Sequence, residues 1–230
     1  MRAPVLAALA EAGRERRAAI LVTDLESGVG RVVFETDALV SDPLGEELIA
    51  RFRSGRSGLI ATASERVMLT VRLPPPRLVV IGAVHIAQAL APMAEIAGLD
   101  VTVIDPRTAF ASAGRFPGAR LFAAWPEEVL AKAPLDAFTA LAAVTHDPRI
   151  DDQPLADALR AGCFYVGALG SRKTHAKRLD RLALLGIEPA QAARIRAPIG
   201  LDIGAQSPAE IAVAILAEVV EALRRRGASA

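Results

Sequence analysis

Apolar and polar positions along the chain change their pattern at three consecutive prolines, residues 74–76. Consecutive prolines cannot continue a helix or pair within a central strand, so the pattern predicts a domain boundary there. Residues 1–73 are expected to form a small α+β domain. Its predicted elements are a helix over about 4–12, a hairpin of strands 18–23 and 31–35, a helix over about 43–53, and strands at 59–63 and 66–73.

Residues 77–230 form the second predicted domain, in which short apolar strands alternate with helices. Strands are predicted at 77–81, 101–104, about 121–124, 138–145 and 163–169, and helices at 85–97, 126–132, 152–161, 172–185 and 208–223. The last helix is marked by Ser207, Pro208 and Glu210, which match a capping box with proline in the first turn. Strands that are apolar on both faces indicate a parallel sheet covered on two sides. The predicted fold class is therefore α/β: a Rossmann-like, doubly wound parallel sheet with a small N-terminal α+β domain.

The carboxyl ends of the strands are where such a sheet binds its ligand. The first strand is followed by Gly82-Ala-Val-His-Ile-Ala87, which fits the dinucleotide fingerprint except that Val84 replaces its second glycine. A β-branched valine hinders close approach of a pyrophosphate to the backbone. The second strand ends in Asp105, roughly twenty residues further on, which is the usual position of the acid that holds the ribose hydroxyls. A Rossmann-like domain that has lost its nucleotide is the alternative interpretation.

The fourth predicted strand is followed by His146 and Asp147. These side chains could position a ligand, donate a proton or hold a metal ion. Alternatively, Asp147 caps the turn before Pro148.

The fifth predicted strand leads through glycines into a basic helix that begins after Ser171. Backbone N–H groups at a helix N-terminus, beside Arg172 and Lys173, predict an anion site. The alternative is a solvated basic face, because Lys177, Arg178 and Arg181 continue the run. Asp202, bracketed by two glycines, is expected to open toward the same edge of the sheet.

Composition restricts the classes of function. The chain has 27 basic and 26 acidic side chains, a formal net charge of +1, so no global field favours nucleic acid or an anionic membrane. The apolar N-terminal stretch is too short for a signal peptide or a membrane span, and we expect a cytoplasmic protein. One cysteine, Cys163, excludes an internal disulfide and a thiolate zinc cluster. The three histidines lack the spacing of a metal site, and no catalytic triad, Walker loop or catalytic carboxylate pair is present.

Four segments, residues 76–87, 145–147, 165–173 and 198–205, resemble the C-terminal Rossmann domain of the XdhC/CoxF family. These are accessory proteins of xanthine and carbon monoxide dehydrogenase-type molybdenum hydroxylases. The resemblance implies binding of molybdenum cofactor, as molybdopterin or its cytidine dinucleotide form, and its delivery to an apo-hydroxylase. It also implies a homodimer and a cysteine desulfurase as a further partner. The family's N-terminal cysteine has no counterpart in residues 1–73.

Together, position and resemblance predict one set of cofactor-binding residues: Gly82, Ala83, Val84, His85, Asp105, Arg107, His146, Asp147, Gly167, Gly170, Ser171, Arg172, Lys173 and Asp202. The predicted function is that of an accessory or maturation protein for a molybdenum hydroxylase, which handles a cofactor rather than catalysing a reaction. One alternative is an NAD(P)-dependent oxidoreductase that uses the Gly82 turn and Asp105. The other is a protein-binding maturation factor with a vestigial nucleotide site.

Overall fold

The computed structural model describes residues 3–61 and 66–226. The described residues fall into two compact units. The first contains the described residues up to Pro74 together with residues 225–226, and the second contains residues 75–224.

The first unit is an α+β arrangement around an antiparallel sheet of order β2-β1-β4-β3. Its elements are α1 (Ala3–Arg14), β1 (Ala19–Asp24), β2 (Gly30–Phe34), α2 (Gly45–Ser54), β3 (Gly58–Ala61) and β4 (Arg66–Arg72). The predicted hairpin is confirmed, since β1 and β2 pair antiparallel. Helix α2 ends at Gly55, which adopts the left-handed conformation that glycine favours. The last two residues of the strand predicted at 59–63 lie outside the described residues.

The second unit contains a six-stranded sheet in which every neighbouring pair is parallel. Its strands are β5 (Arg77–Ile81), β6 (Asp100–Ile104), β7 (Arg120–Phe122), β8 (Thr139–Ala143), β9 (Tyr165–Ala168) and β10 (Ile195–Arg196). The spatial order is β7-β6-β5-β8-β9-β10. Counted along this unit alone, that is the 3-2-1-4-5-6 order of doubly wound dinucleotide-binding folds. The predicted fold class is confirmed.

Helices cover both faces of this sheet: α3 (His85–Ile96), α4 (Pro126–Leu130), α5 (Pro148–Arg160), α6 (Arg172–Leu184), α7 (Pro189–Ala192) and α8 (Pro208–Arg225). Successive β5 side chains enter different cores, as alternation along a strand requires. Leu78 and Val80 pack in a cluster with Leu90 of α3, whereas Val79 joins a cluster with Leu155 of α5. Both faces of the central strand are therefore buried, which explains its unbroken apolar sequence.

One predicted helix boundary needs correction, and one strand was not predicted. Helix α5 begins at Pro148 rather than Asp152, because Asp147 caps it and Pro148 occupies its first turn. Nothing in the sequence pattern indicated β10, a two-residue strand that pairs with Val166 and Gly167. The capping box of α8 is confirmed: Ser207 N–H donates to Glu210 Oε2 (2.9 Å), and Glu210 N–H donates to Ser207 Oγ (3.2 Å).

Cys163 lies two residues before the start of β9 and is fully buried. Burial raises the pKa of its thiol to about 12, so the group is a neutral apolar side chain at physiological pH. None of the helices within residues 3–61 and 66–226 combines the length and the apolar character needed to cross a membrane.

Candidate functional site

The crevice of the second unit opens where β5 and β8 lie side by side, because the chain continues from them in opposite directions across the sheet. The turn after β5 and the end of β8 meet closely there. Gly82 has φ +116°, and a Cβ added to it would lie 2.7 Å from Thr145 Cγ2. Glycine is required at position 82 for both reasons, and the first residue of the fingerprint therefore has a structural function.

Asp105, at the end of β6, is fully buried and faces the fingerprint turn. Its Oδ2 accepts the Ala83 N–H (2.8 Å), and its Oδ1 accepts the Arg107 N–H (2.9 Å). The Arg107 guanidinium adds two further bonds, from Nε to Oδ1 (2.9 Å) and from Nη2 to Oδ2 (2.8 Å). Burial alone would raise the pKa of Asp105, but the hydrogen bonds from Arg107 and Ala83 outweigh it and leave the pKa lowered. The carboxylate that could have held a ribose is thus bonded within the protein.

Val84 and His85 form the end of the fingerprint turn. Val84 adopts extended backbone angles (φ −88°, ψ 175°) and immediately precedes α3 without a side-chain capping bond. His85 is the first residue of α3 and is exposed. The Arg107 guanidinium, which is bonded to Asp105, also stacks 4.5 Å above the centre of the Phe110 ring.

Beyond β8, a small hydrogen-bonded loop leads into α5. Thr145 Oγ1 donates to Asp151 Oδ1 (2.7 Å), and the His146 N–H donates to Asp151 Oδ2 (3.1 Å). His146 is held with φ +64°, a conformation that is uncommon for a side chain other than glycine. Asp147 accepts the Arg149 N–H (3.0 Å) and its guanidinium, so Asp147 caps α5 and forms an exposed ion pair.

Beyond β9, the predicted glycine-rich turn leads into α6. Ser171 is the N-cap, and its Oγ accepts the Thr174 N–H (3.2 Å). Gly170 has φ +134°, which a side chain would strain. Gly167 is buried within β9, where an added Cβ would lie 2.6 Å from Ile199 Cγ1, so it provides room for the segment that follows β10. Arg172 and Lys173 are exposed.

A cavity of about 400 Å³ lies between the N-terminal half of α5 and the first turns of α6; we call it the α5–α6 pocket. It is lined by His146, Pro148, Asp151, Asp152, Lys173, Thr174, Lys177, Arg178 and Arg181. The structure thus brings predicted residues from two strand ends, His146 and Lys173, to one cavity. Arg172 and Asp202 are not among its lining residues.

Arg178 is the unexpected member of the α5–α6 pocket, because the sequence offered it only as part of the alternative interpretation, a solvated basic face. It is only 2% exposed. Its Nη2 donates to the Leu169 carbonyl (2.8 Å), whereas Nε and Nη1 are buried without a hydrogen-bond partner among the described residues. Burial lowers the pKa of this guanidinium. Spacing was the signal that could have identified it: Arg178 lies one turn before Leu182, which is fully buried on the inner face of α6.

The charged side chains of the pocket include more cations than anions. Arg181 forms a two-point ion pair with Asp152. Burial raises the pKa of Asp151 to about 6, although its bonds from Thr145 and His146 and the charge of Arg178 oppose the shift. Within residues 3–61 and 66–226, Lys173 and Lys177 have no ion-pair partner. The pocket therefore carries excess positive charge at neutral pH.

Asp202 lies in an exposed position on the loop before α8. The start of that loop is held by Glu218 of α8, whose Oε2 accepts the Gly200 N–H (2.8 Å) and the Tyr165 hydroxyl (2.7 Å). Sequence reasoning missed this buried carboxylate because it lies in the middle of an apolar helix. Across the described ranges, no group of three or more His, Cys, Asp or Glu side chains could hold a metal ion.

The strand order, the crevice at β5 and β8 and the glycine turn define a doubly wound domain of the Rossmann type. Residues 78–219 match the family described as the XdhC Rossmann domain. The chain belongs to this family, which confirms the resemblance noted in its sequence.

Two relatives from bacteria share about a third of their aligned residues with this chain. It is 35% identical over 153 residues to a Bacillus subtilis (strain 168) protein named as a probable subunit of xanthine dehydrogenase, in an alignment covering 66% of this chain and 44% of that protein. It is 34% identical over 146 residues to "Molybdenum cofactor insertion chaperone PaoD" of Escherichia coli (strain K12), covering 64% of this chain and 40% of that protein. The chain thus spans less than half the length of these relatives.

A solved structure supports the fold. The crystal structure of a xanthine dehydrogenase from Bacillus halodurans matches 94% of this chain with a TM-score of 0.63, and the match covers 62% of that chain. Sequence identity across it is 23%, so the likeness shows the shared fold alone.

Proposed function

We propose that this chain is an accessory protein in the maturation of a molybdenum hydroxylase of the xanthine or carbon monoxide dehydrogenase type. In this function it binds molybdenum cofactor, or a related nucleotide, at the carboxyl edge of its parallel sheet. The observation that carries the proposal is the positively charged α5–α6 pocket within a domain of the XdhC family. The names of the two relatives, a molybdenum cofactor insertion chaperone and a probable subunit of xanthine dehydrogenase, support it.

The residues of the pocket fit such a ligand. Molybdopterin and its cytidine dinucleotide form both carry phosphate, which requires cationic partners. Lys173, Lys177 and Arg178 supply them, and a cavity of about 400 Å³ lies within the usual range of small-molecule sites. When bound, the cofactor provides the redox chemistry of the enzyme that receives it. The residues of this chain would hold its charged end and orient the rest toward the crevice.

The hydrogen bonds of Asp105 beside the fingerprint turn favour cofactor handling over hydride transfer. An NAD-dependent oxidoreductase would need Asp105 for the ribose, and that carboxylate already accepts four hydrogen bonds within the protein. The partner implied by the proposal is an apo-molybdenum hydroxylase. A cysteine desulfurase partner and a homodimer stay predictions, each open to pull-down or light-scattering measurements.

A transfer experiment tests the proposal. The chain is purified from its host, and its bound pterin is oxidised to a fluorescent product and quantified. The loaded chain is then mixed with the host's apo-hydroxylase, whose activity is followed. We expect stoichiometric pterin and recovery of hydroxylase activity, with the variant Arg120→Ala, altered at an exposed ion pair on β7, as the unaffected control. Absence of pterin together with full hydroxylase activity in a host lacking this chain would overturn the proposal.

A further inference from the structure

The guanidinium of Arg178 is the least satisfied charged group in the second unit. Arg178 is 2% exposed, and two of its three side-chain nitrogens have no hydrogen-bond partner among the described residues. Leaving buried donors of a charged group unpaired is costly, and a bound ligand, ion or water can complete their hydrogen bonds. Since Arg178 lines the α5–α6 pocket, a ligand in that pocket could complete them.

Neighbouring charges leave Arg178 available for an anion. Asp152 is bonded to Arg181, and Asp151 directs its two oxygens to Thr145 and to the His146 N–H. Neither carboxylate forms an ion pair with Arg178 within the described residues. An incoming anion therefore does not have to displace an existing salt bridge.

The start of α6 strengthens the same site. Lys173 and Thr174, in the first turn of this thirteen-residue helix, line the pocket, as does Lys177 one turn later. The helix N-terminus adds the positive end of its dipole. A buried guanidinium at the base, two ammonium groups at the rim and a helix start are the combination that binds phosphate oxygens in proteins.

We propose that the α5–α6 pocket is a binding site for a phosphate group, and that Arg178, rather than the exposed turn at Arg172, anchors it. The phosphate oxygens accept hydrogen bonds from the unpartnered nitrogens of Arg178 and form ion pairs with Lys173 and Lys177. This inference deepens the proposed function and rests on it for the identity of the ligand, since it assigns the phosphate part of the cofactor to one pocket.

The test is calorimetric titration of the full chain with inorganic phosphate and with cytidine monophosphate at pH 7.5. We expect saturable binding of both, weakened at least tenfold in Arg178→Met. The matched control is Arg172→Met, which removes an exposed arginine from the same helix and is expected to change affinity less than twofold. Lys177→Gln, exposed at the pocket rim, should weaken binding about threefold to tenfold, and it tests the pocket even if the variant at the buried position does not fold.

The assignment would be overturned if Arg172→Met weakened phosphate binding as much as Arg178→Met does. It would also be overturned if phosphate affinity were unchanged in both Arg178→Met and Lys177→Gln. So would the absence of any saturable phosphate binding by the unmodified chain. The cofactor-transfer experiment separates this inference from the proposed function. Intact transfer by a Lys177→Gln chain with unchanged phosphate affinity would contradict the site and leave the maturation function standing. Phosphate binding that depends on Arg178 supports the site whatever the result of the transfer experiment.

Discussion

Arg107 holds Asp105 at two points, with Nε 2.9 Å from Oδ1 and Nη2 2.8 Å from Oδ2. Asp105 in turn accepts the N–H of Ala83, in the middle of the fingerprint turn. Such backbone N–H groups bind the pyrophosphate in dinucleotide enzymes, and the acid at this position binds the ribose. Here the Ala83 N–H and the Asp105 carboxylate are bonded to each other. The turn therefore stabilises the domain instead of binding a nucleotide.

The first prediction is that the unmodified chain binds NAD and NADP weakly. We expect dissociation constants on the order of 0.1 mM or weaker in calorimetric titration. Two features oppose binding: the lone pairs of Asp105 are occupied, and Val84 keeps the pyrophosphate away from the backbone. Micromolar affinity for either nucleotide would contradict this prediction and favour an oxidoreductase.

Variants at Val84 and Arg107 would show which of these two features limits NAD affinity. Val84→Gly alone should improve NAD affinity only slightly, because Asp105 stays bonded to Arg107. Adding Arg107→Ala removes one guanidinium hydrogen bond from each oxygen of Asp105 and leaves the two backbone N–H bonds. It should therefore improve NAD affinity further, by about tenfold, which corresponds to about 1.4 kcal/mol. Arg115→Ala is the matched control, since Arg115 also lies over the Phe110 ring but does not contact Asp105.

The second prediction concerns the free energy of unfolding at Gly82. Gly82→Ala should lower it by about 2–5 kcal/mol, because a side chain at φ +116° is strained and its Cβ would lie 2.7 Å from Thr145 Cγ2. Gly98→Ala is the control: φ is +85°, but nothing lies within 4 Å of the added Cβ. It should cost about 1–2 kcal/mol, the strain alone. Equal losses for the two variants in urea denaturation would argue against close packing at the crevice.

The third prediction is that the second unit folds by itself. Both hydrophobic clusters around the parallel sheet draw their residues from positions 78–223, so a fragment from Pro75 to the C-terminus retains every cluster member. We expect one cooperative transition in calorimetry and a circular dichroism spectrum typical of an α/β protein, with the full chain as reference. A gradual loss of ellipticity on heating would contradict the prediction.

Local patterns were enough to predict most of the fold. The apolar strand at residues 77–81 is buried on both faces, and Ser171 caps α6 as its position before the helix indicated. The sequence pattern predicts the start of α5 at Asp152, later than observed, because an aspartate before a proline fits both a helix cap and a turn. The two-residue strand β10 is too short for its apolar pattern to be distinguished from a loop.

The candidate site was less predictable, because it depends on contacts between distant residues. The position of Asp105 in the sequence predicted a ribose ligand, but its function is decided by the side chain of Arg107 and the N–H of Ala83. Arg178 lies in a run of basic residues that is typical of a solvated helix face. Its spacing from Leu182 places it on the inner face of α6, but only the packing of that helix shows how completely this arginine is buried.

The fourth prediction concerns the pH dependence of anion binding in the α5–α6 pocket. Burial raises the pKa of Asp151 to about 6, so this carboxylate is ionised at pH 7.5 and mostly protonated at pH 5. An anion binds more easily once the negative charge of Asp151 is neutralised, and by linkage its binding raises the pKa of Asp151 further. Affinity should therefore rise as pH falls through 6.

The charged or titratable groups around Asp151 are Asp152 on its own helix, His146 and Asp147 before it, Lys173, Lys177, Arg178 and Arg181 on α6, and Arg107.

Sulfate is the probe for this measurement, because it stays a dianion across the range in which phosphate itself takes up a proton. Between pH 7.5 and 5.5 we expect its affinity to increase about threefold to tenfold, as removal of one nearby charge would produce in a partly screened site. Asp151→Asn should abolish most of the increase. In this variant the asparagine side-chain NH2 group can donate to Thr145 Oγ1, and its side-chain oxygen still accepts the His146 N–H. His146→Gln is the control for the second titrating group, whose pKa is lowered by partial burial and by the charge of Arg178. If His146→Gln removed the increase and Asp151→Asn kept it, the imidazole rather than the buried carboxylate would control the charge of the pocket.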